Sequence, residues 1–178
     1  MSKFSVPNQA VIHRWIVKLI VFILARKLGI DDYIIGGSYR RGKWFCNDID
    51  LIVPVKSEMQ KKGLLIRMKQ LGWFDLNRGR DKSEIMWAEQ FVKKIGNHRV
   101  VLDLFLIDPG SMGNALVFTT GPASFNDKIR KQIVKHGYSW YDPRYFIDLQ
   151  DNSKIVFDTE IGVFNFLGLR WLKPKHRK

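Results

Sequence analysis

The chain has 178 residues and carries 30 Lys and Arg against 17 Asp and Glu, a formal net charge of +13. That length holds one well-packed domain, or two small lobes sharing a ligand. Apolar residues at 46% and aromatics at 13% exclude a disordered basic tail, and the single cysteine, Cys46, excludes an internal disulfide framework. The longest apolar stretch, residues 16–25, is interrupted by Lys18 and falls short of the roughly 20 residues a bilayer needs. It also lacks the small-residue cleavage site of a secretory signal. The expectation is a soluble, intracellular globular protein with no membrane partner. Its surplus charge creates a field that attracts polyanions.

Residues 7–28 read as a helix, capped by Asn8 and ended by Gly29, with Val11, Ile12, Trp15, Ile16, Leu19, Ile20, Ile23 and Leu24 at helical spacing. Residues 33–37 form a short strand running into paired glycines, and residues 49–55 a second strand. Residues 57–71 predict an amphipathic helix with Met59, Leu64, Leu65, Met68 and Leu71 inward. Residues 84–92 and 99–107 predict strands joined by the turn dipeptide Gly96-Asn97. Asp108-Pro109-Gly110 is strong punctuation. Beyond it come a short helix to Phe118, the turn Thr120-Gly121-Pro122, and a helix over 123–136. Strands near 145–149 and 154–157 follow, then a helix over 159–167. Trp73, Trp87, Trp140 and Trp171 are expected to pack inside the lobes. The four histidines show no metal-ligand spacing.

Asp48 and Asp50 open the second strand, and at period two both project to one face. Two carboxylates that close repel, and a divalent cation with its preference for oxygen removes the conflict. Asp103 sits among Val100, Val101, Leu102, Leu104, Phe105 and Leu106, where an unpartnered charge costs several kcal/mol. Alternation places Asp103 with Val101 and Phe105, opposite the three leucines. If the two strands are neighbours, three carboxylates converge. Such a cluster can hold two Mg²⁺ ions that activate a hydroxyl and neutralise a leaving phosphate.

The segment 37–43 fits the Gly-x4-Gly-Lys spacing of a P-loop. The match is rejected, because Trp44 stands where Ser or Thr is required and an acidic strand follows in place of a helix. Its chemistry still suits phosphate. Gly36 and Gly37 permit close backbone approach, Ser38 offers a hydroxyl, and Arg40 or Arg41 supplies charge.

Gly-Gly-Ser-Tyr-Arg-Arg-Gly at 36–42, followed by Asp48-Ile49-Asp50, resembles the active-site signature of the polymerase-beta nucleotidyltransferase superfamily. Three further segments resemble family X DNA polymerases: Val101-Leu102-Asp103-Leu104-Phe105, the run 118–126 with Arg130, and the tail 164–177. Asn47, the residues around Asp103, and Thr-Gly-Pro resemble the minimal viral form of that family. The resemblance implies an α+β fold, a nucleotidyltransferase palm over 1–108 with a mixed sheet and flanking helices. A small α+β C-terminal lobe over 109–178 would bind nucleotide and DNA. Thirty residues before the glycine turn leave no room for the lyase and helix-hairpin-helix elements of larger members.

By that resemblance, Asp48 and Asp50 would ligate two Mg²⁺ ions, with Mn²⁺ a substitute, and Asp103 would ligate one and draw the primer proton. Gly37, Ser38, Arg41 and Asn47 would bind the triphosphate. Phe118, Thr119 and Gly121 would face the incoming sugar, and Asn126 the base. Arg130, with Lys128, Lys131, Arg170, Lys173 and Lys175, would contact DNA. The implied partners are a dNTP and gapped or primer–template DNA, bound by a monomer that fills short gaps in repair. The sequence departs from the family at Thr119, where many members have a second aromatic, at Cys46 in place of Ser, and at Phe105 in place of an Arg. Two rivals remain open. One is a template-independent nucleotidyltransferase acting on RNA or a small molecule, the other a DNA-binding scaffold with a dead site.

Overall fold

The computed structural model describes residues 9–76 and 88–178. In chain order these form β1 (Ile12–His13), α1 (Arg14–Leu28), β2 (Ile34–Ile35), the one-turn helix α2 (Gly37–Arg40), β3 (Phe45–Cys46), β4 (Ile49–Pro54), α3 (Glu58–Gln70) and β5 (Phe74–Asp75). Then come β6 (Glu89–Ile95), β7 (His98–Ile107), α4 (Met112–Thr120), α5 (Ala123–Lys135), β8 (Tyr138–Asp142), β9 (Tyr145–Asp148), β10 (Lys154–Ile155) and α6 (Glu160–Phe166). The fold is α+β.

The central sheet is mixed, in the order β2-β4-β7-β6-β5. Only β4 and β7 run parallel within it; the pairs β2–β4, β6–β7 and β5–β6 are antiparallel. The hairpin predicted at Gly96-Asn97 joins β6 to β7, with Gly96 at φ 59 as such a turn requires. Residues 84–87 of the predicted strand, Trp87 among them, lie outside the described residues.

Because β4 and β7 are in register, their side chains sort by face. Ile49, Leu51 and Val53 join Leu102 and Leu104 in a core closed by Val17, Val21, Leu24 and Leu28 of α1 and by Leu64 and Met68 of α3. On the other face Ile52, Phe105 and Ile107 pack against Ala115 and Leu116 of α4. The predicted division of β7 into a leucine face and a face shared by Asp103 and Phe105 is what the structure has.

Helix α1 differs from its sequence reading in two respects. It begins at Arg14, not residue 7, because Ile12 and His13 pair with Cys46 and Phe45. His13 caps it, its ring nitrogen accepting from the Trp15 N–H at 3.4 Å, and Asn8 lies outside the described residues. The buried face is Val17, Val21, Leu24, Ala25 and Leu28, whereas Trp15, Ile16, Leu19 and Ile23 are exposed. A helix apolar nearly all round has no single stripe for periodicity to find. In α3, Leu64 and Met68 are buried as expected, but Met59 is turned out to solvent.

The C-terminal segment has its own core, in which Phe125, Ile129 and Ile133 of α5 meet Trp140 of β8, Phe146 of β9, and Val163 and Phe164 of α6. Strand β8 was not predicted. Its register with β9 shifts between Ser139 and Asp142, which breaks the period-two pattern. Helix α4 comes close enough to the stretch before α6 that a Cβ on Gly113 would lie 2.2 Å from the Thr159 carbonyl oxygen. The Gly113 N–H donates to the Phe157 carbonyl at 2.7 Å in the same contact.

Candidate active site

The glycine turn and the acidic strand are built against each other. Strand β2 pairs with β4 and delivers the chain to Gly36, whose N–H donates to the Asp50 carbonyl at 2.8 Å. Gly37 follows with φ 53, a left-handed conformation open to glycine. A Cβ there would stand 1.7 Å from the Asp50 carboxylate oxygen. At Gly36 a Cβ would stand 2.7 Å from the Ile52 side chain. The paired glycines therefore bring backbone into contact with a carboxylate. Gly37→Ala is expected to cost about 1–3 kcal/mol of stability and to displace Asp50. A variant with unchanged melting temperature and unchanged turnover would contradict this close approach.

Ser38 is the second residue of the one-turn helix that Gly37 opens. Its hydroxyl oxygen is buried and has no hydrogen-bond partner among the described residues. Such an orphan is unusual, and an anion carrying acceptor oxygens would satisfy it. Arg41, at the end of the turn, donates to the Thr120 carbonyl at 2.7 Å. Burial pulls its guanidinium below the ordinary value, with the Asp50 and Asp48 charges opposing. Arg41 thus sits in the field of two of the carboxylates named from sequence.

Asp50 and Asp103 are register partners on the parallel pair β4–β7. They project from one face of adjacent strands, about 4.8 Å apart along the hydrogen-bonding direction. Asp103 is only 8% exposed. Gln90 is its register partner on β6, and the Gln90 amide donates to Asp103 Oδ1 at 2.8 Å. Asp48 lies in a bend before the strand begins, not on it. The structure therefore brings two of the three carboxylates side by side. Among the described residues no group of three His, Cys, Asp or Glu is drawn together as tightly as one metal ion requires. Two adjacent carboxylates of which one is buried, beside a turn that carries an unsatisfied hydroxyl, nevertheless fit a divalent cation by the chemistry of their donors.

The second turn, between α4 and α5, closes over the first. Thr119 is buried, its hydroxyl donates to the Ala115 carbonyl at 2.8 Å, and a Cβ on Gly36 would lie 3.4 Å from that hydroxyl. A Cβ on Gly121 would stand 2.2 Å from Asn126 Oδ1. Asn126 donates to the Phe118 carbonyl at 2.8 Å, and its Oδ1 is buried without a partner among the described residues. The Phe118 ring meets Trp140 edge-on at 5.4 Å. Asn47 is exposed, and its carbonyl accepts from the Gln9 amide at 2.6 Å.

Of the expected DNA contacts, Lys128, Lys131, Arg170, Lys173 and Lys175 are exposed. Arg130 forms an ion pair with Asp127 at 3.1 Å, one turn earlier on α5. The sequence reading missed the contact that fastens the two turns together. Arg40 donates to both oxygens of Glu160 at 2.8 Å and to the Thr120 hydroxyl at 2.7 Å. Arg177 donates to Glu160 at 2.6 Å with its side chain fully enclosed. A cleft of about 980 Å³ opens elsewhere, at the far ends of β2 and β4. It contains none of these groups.

Residues 115–178 match the family model described as the DNA polymerase beta thumb. DNA polymerase lambda of Arabidopsis thaliana is 28% identical over 167 residues, which covers 81% of this chain and 31% of that protein. DNA polymerase lambda of Rattus norvegicus is 26% identical over 160 residues, covering 79% of this chain and 28% of that protein. The chain thus spans less than a third of the length of these relatives. A crystal structure of Leishmania infantum polymerase beta, a ternary P/T complex, shares the fold with a TM-score of 0.74 at 19% identity, over 96% of this chain and 78% of that one.

Proposed function

We propose that this chain is a DNA polymerase of family X, as its similarities support, and that it adds deoxynucleotides to a primer 3′-hydroxyl under the direction of a template, in short gaps during repair. One observation carries the reading: Gly37 and the Asp50 carboxylate touch, so the phosphate-binding turn and the acidic pair form a single unit. The roles are divided accordingly. Gly37, Ser38 and Arg41, with the backbone of Asn47, hold the β- and γ-phosphates, and the orphaned Ser38 hydroxyl gains its partner there. Asp103, held by Gln90, takes the proton of the 3′-hydroxyl. The 3′-oxygen bonds to the α-phosphorus, the bond to the β-phosphate oxygen breaks, and pyrophosphate leaves. Asp50 and Asp103, with Asp48 supplying a third carboxylate, would hold Mg²⁺ or Mn²⁺. Those ions supply charge neutralisation at the phosphates and a lower pKa for the attacking hydroxyl.

Phe118, Thr119 and Gly121 face the sugar, and Asn126 faces the base. Lys128, Arg130, Lys131, Arg170, Lys173 and Lys175 grip DNA. The palm spans residues 1–108 and the nucleotide-binding lobe residues 109–178, acting as a monomer. Asn47, the 102–105 run and Thr-Gly-Pro at 120–122 support a place beside the minimal viral members.

Primer extension tests the reading, with a one-nucleotide gap offering each template base in turn and Mg²⁺ present. The expected result is incorporation of the complementary dNTP alone. Addition indifferent to the template favours the rival nucleotidyltransferase, and binding without turnover favours the inactive scaffold.

A further inference from the structure

The sequence reading gave no surface role to Trp15 or Trp44. Trp15 is 63% exposed and Trp44 62%, with Phe45 beside them at 60%. Exposure of three large rings at neighbouring positions is costly and calls for an occupant. They are fixed, not loose. Strand β1 pairs with β3, so His13 lies opposite Phe45, with its ring edge-on to Phe45 at 5.3 Å and stacked on Trp44 at 5.9 Å. The Arg14 N–H donates to the Trp44 carbonyl at 2.8 Å. The Arg14 guanidinium reaches the Gly42 carbonyl at 3.3 Å and lies over the rings of Tyr39 and Trp44, 5.0 and 5.9 Å from their centroids. Lys18 stands over Trp15 at 5.9 Å, and Lys43 is exposed next to Trp44.

The chain segments that carry these rings are cationic. Residues 9–30 and 33–47 contain no Asp or Glu, while they hold Arg14, Lys18, Arg26, Lys27, Arg40, Arg41 and Lys43. Trp44 and Phe45 follow directly on the turn of the candidate phosphate site, where the Lys43 N–H donates to the Ser38 carbonyl at 3.1 Å. Flat rings interleaved with cations are the pattern that binds unpaired bases, with stacking on the π-faces and cations on the backbone. An anionic bilayer would take the cations and the apolar surface, but it gives rings held by cation stacking at the mouth of a phosphate site no specific role.

We infer that the face formed by His13, Arg14, Lys43, Trp44 and Phe45 is a stacking platform for single-stranded nucleic acid, holding unpaired bases beside the site. The inference rests on a nucleic acid being the polymer that reaches that site. The full chain is titrated with fluorescently labelled dT16 and with a blunt duplex of equal length. The double variant Trp44→Ala/Phe45→Ala is expected to lose about tenfold or more in dT16 affinity, with the duplex changed less than about twofold. The variant Trp44→Phe/Phe45→Tyr, which keeps both rings, is expected to bind dT16 as the parent does.

Unchanged dT16 affinity in the alanine variant overturns the inference, as does an equal loss on both probes. So does loss of binding to phosphatidylserine vesicles, or of self-association, with dT16 binding intact. Extension by the parent chain is measured separately. Extension with no effect of the rings on dT16 sinks only the platform; dT16 binding through the rings without extension sinks only the polymerase reading.

Discussion

Replacing Asp103 with Asn is expected to lower nucleotide incorporation about a thousandfold, equivalent to roughly 4 kcal/mol of transition-state stabilisation, while the chain stays folded. Asn preserves the shape of the side chain and an oxygen that can accept from Gln90, which lies 2.8 Å away. It replaces one of two neighbouring carboxyl groups on adjacent strands with a neutral amide, a change that relieves repulsion and desolvation. Melting temperature in metal-free buffer should therefore hold or rise as activity collapses. Single-turnover extension and thermal melting on the same preparation read the two effects. A purely structural Asp103 would give the reverse, a lower melting temperature with proportionate activity.

The second large effect is on stability. Glu160 is buried between Arg40 and Arg177, and it accepts from both. Removing it in Glu160→Ala leaves the enclosed Arg177 guanidinium without its counter-charge, at a cost of about 3–5 kcal/mol. At this chain length that corresponds to a fall in melting temperature of roughly 10 °C. The same change releases the glycine turn from α6, so the affinity for a dNTP should fall as well. The contact is also sensitive to pH. Burial pushes the Glu160 carboxyl up, but the hydrogen bonds and charges of Arg40 and Arg177 outweigh it, leaving the group below its ordinary value of 4.5. A carboxyl depressed on folding contributes its full stability above the unfolded value and loses it as pH falls through the folded one. The gap in stability between parent and Glu160→Gln should be constant from pH 6 to 8 and narrow below about 4.5. A gap independent of pH down to 3 would mean that folding leaves the Glu160 carboxyl unshifted, and a gap that widens as pH falls would mean that it is raised.

Much of the candidate site could be read from the sequence because each part rested on a local rule. A carboxylate inside an otherwise apolar strand, as at Asp103, demands a reason; that its strand neighbours the one bearing Asp50 was only a condition of the sequence reading, and the structure meets it. The paired glycines before Ser38 were read as room for a phosphate, whereas the close approach the structure shows there is that of Asp50. What escaped depended on distant partners. Glu160 follows Thr159 at the start of a helix, where an acid is ordinary capping chemistry, and Arg177 reads as one more charge in a basic tail. Only the fold reveals that 17 residues of separation close into a buried pair.

Gln90 gave no signal either, since its role depends on the register of β6 against β7. The start of α1 was hidden by the pairing of two-residue strands, too short for any period. Asp48 belongs to the bend before β4. Alternation applied from Asp48 onward assumes extended backbone that begins only at Ile49.

The central claim is that the glycine turn and the carboxylates form one site for a metal-bound triphosphate. Electron paramagnetic resonance of Mn²⁺, titrated into the full chain with a non-hydrolysable dNTP, tests it most directly. The account predicts Mn²⁺ bound only in the company of the nucleotide triphosphate, weakened about tenfold or more by Asp50→Asn and by Asp103→Asn separately. Mn²⁺ and nucleotide binding that is indifferent to both substitutions would contradict it.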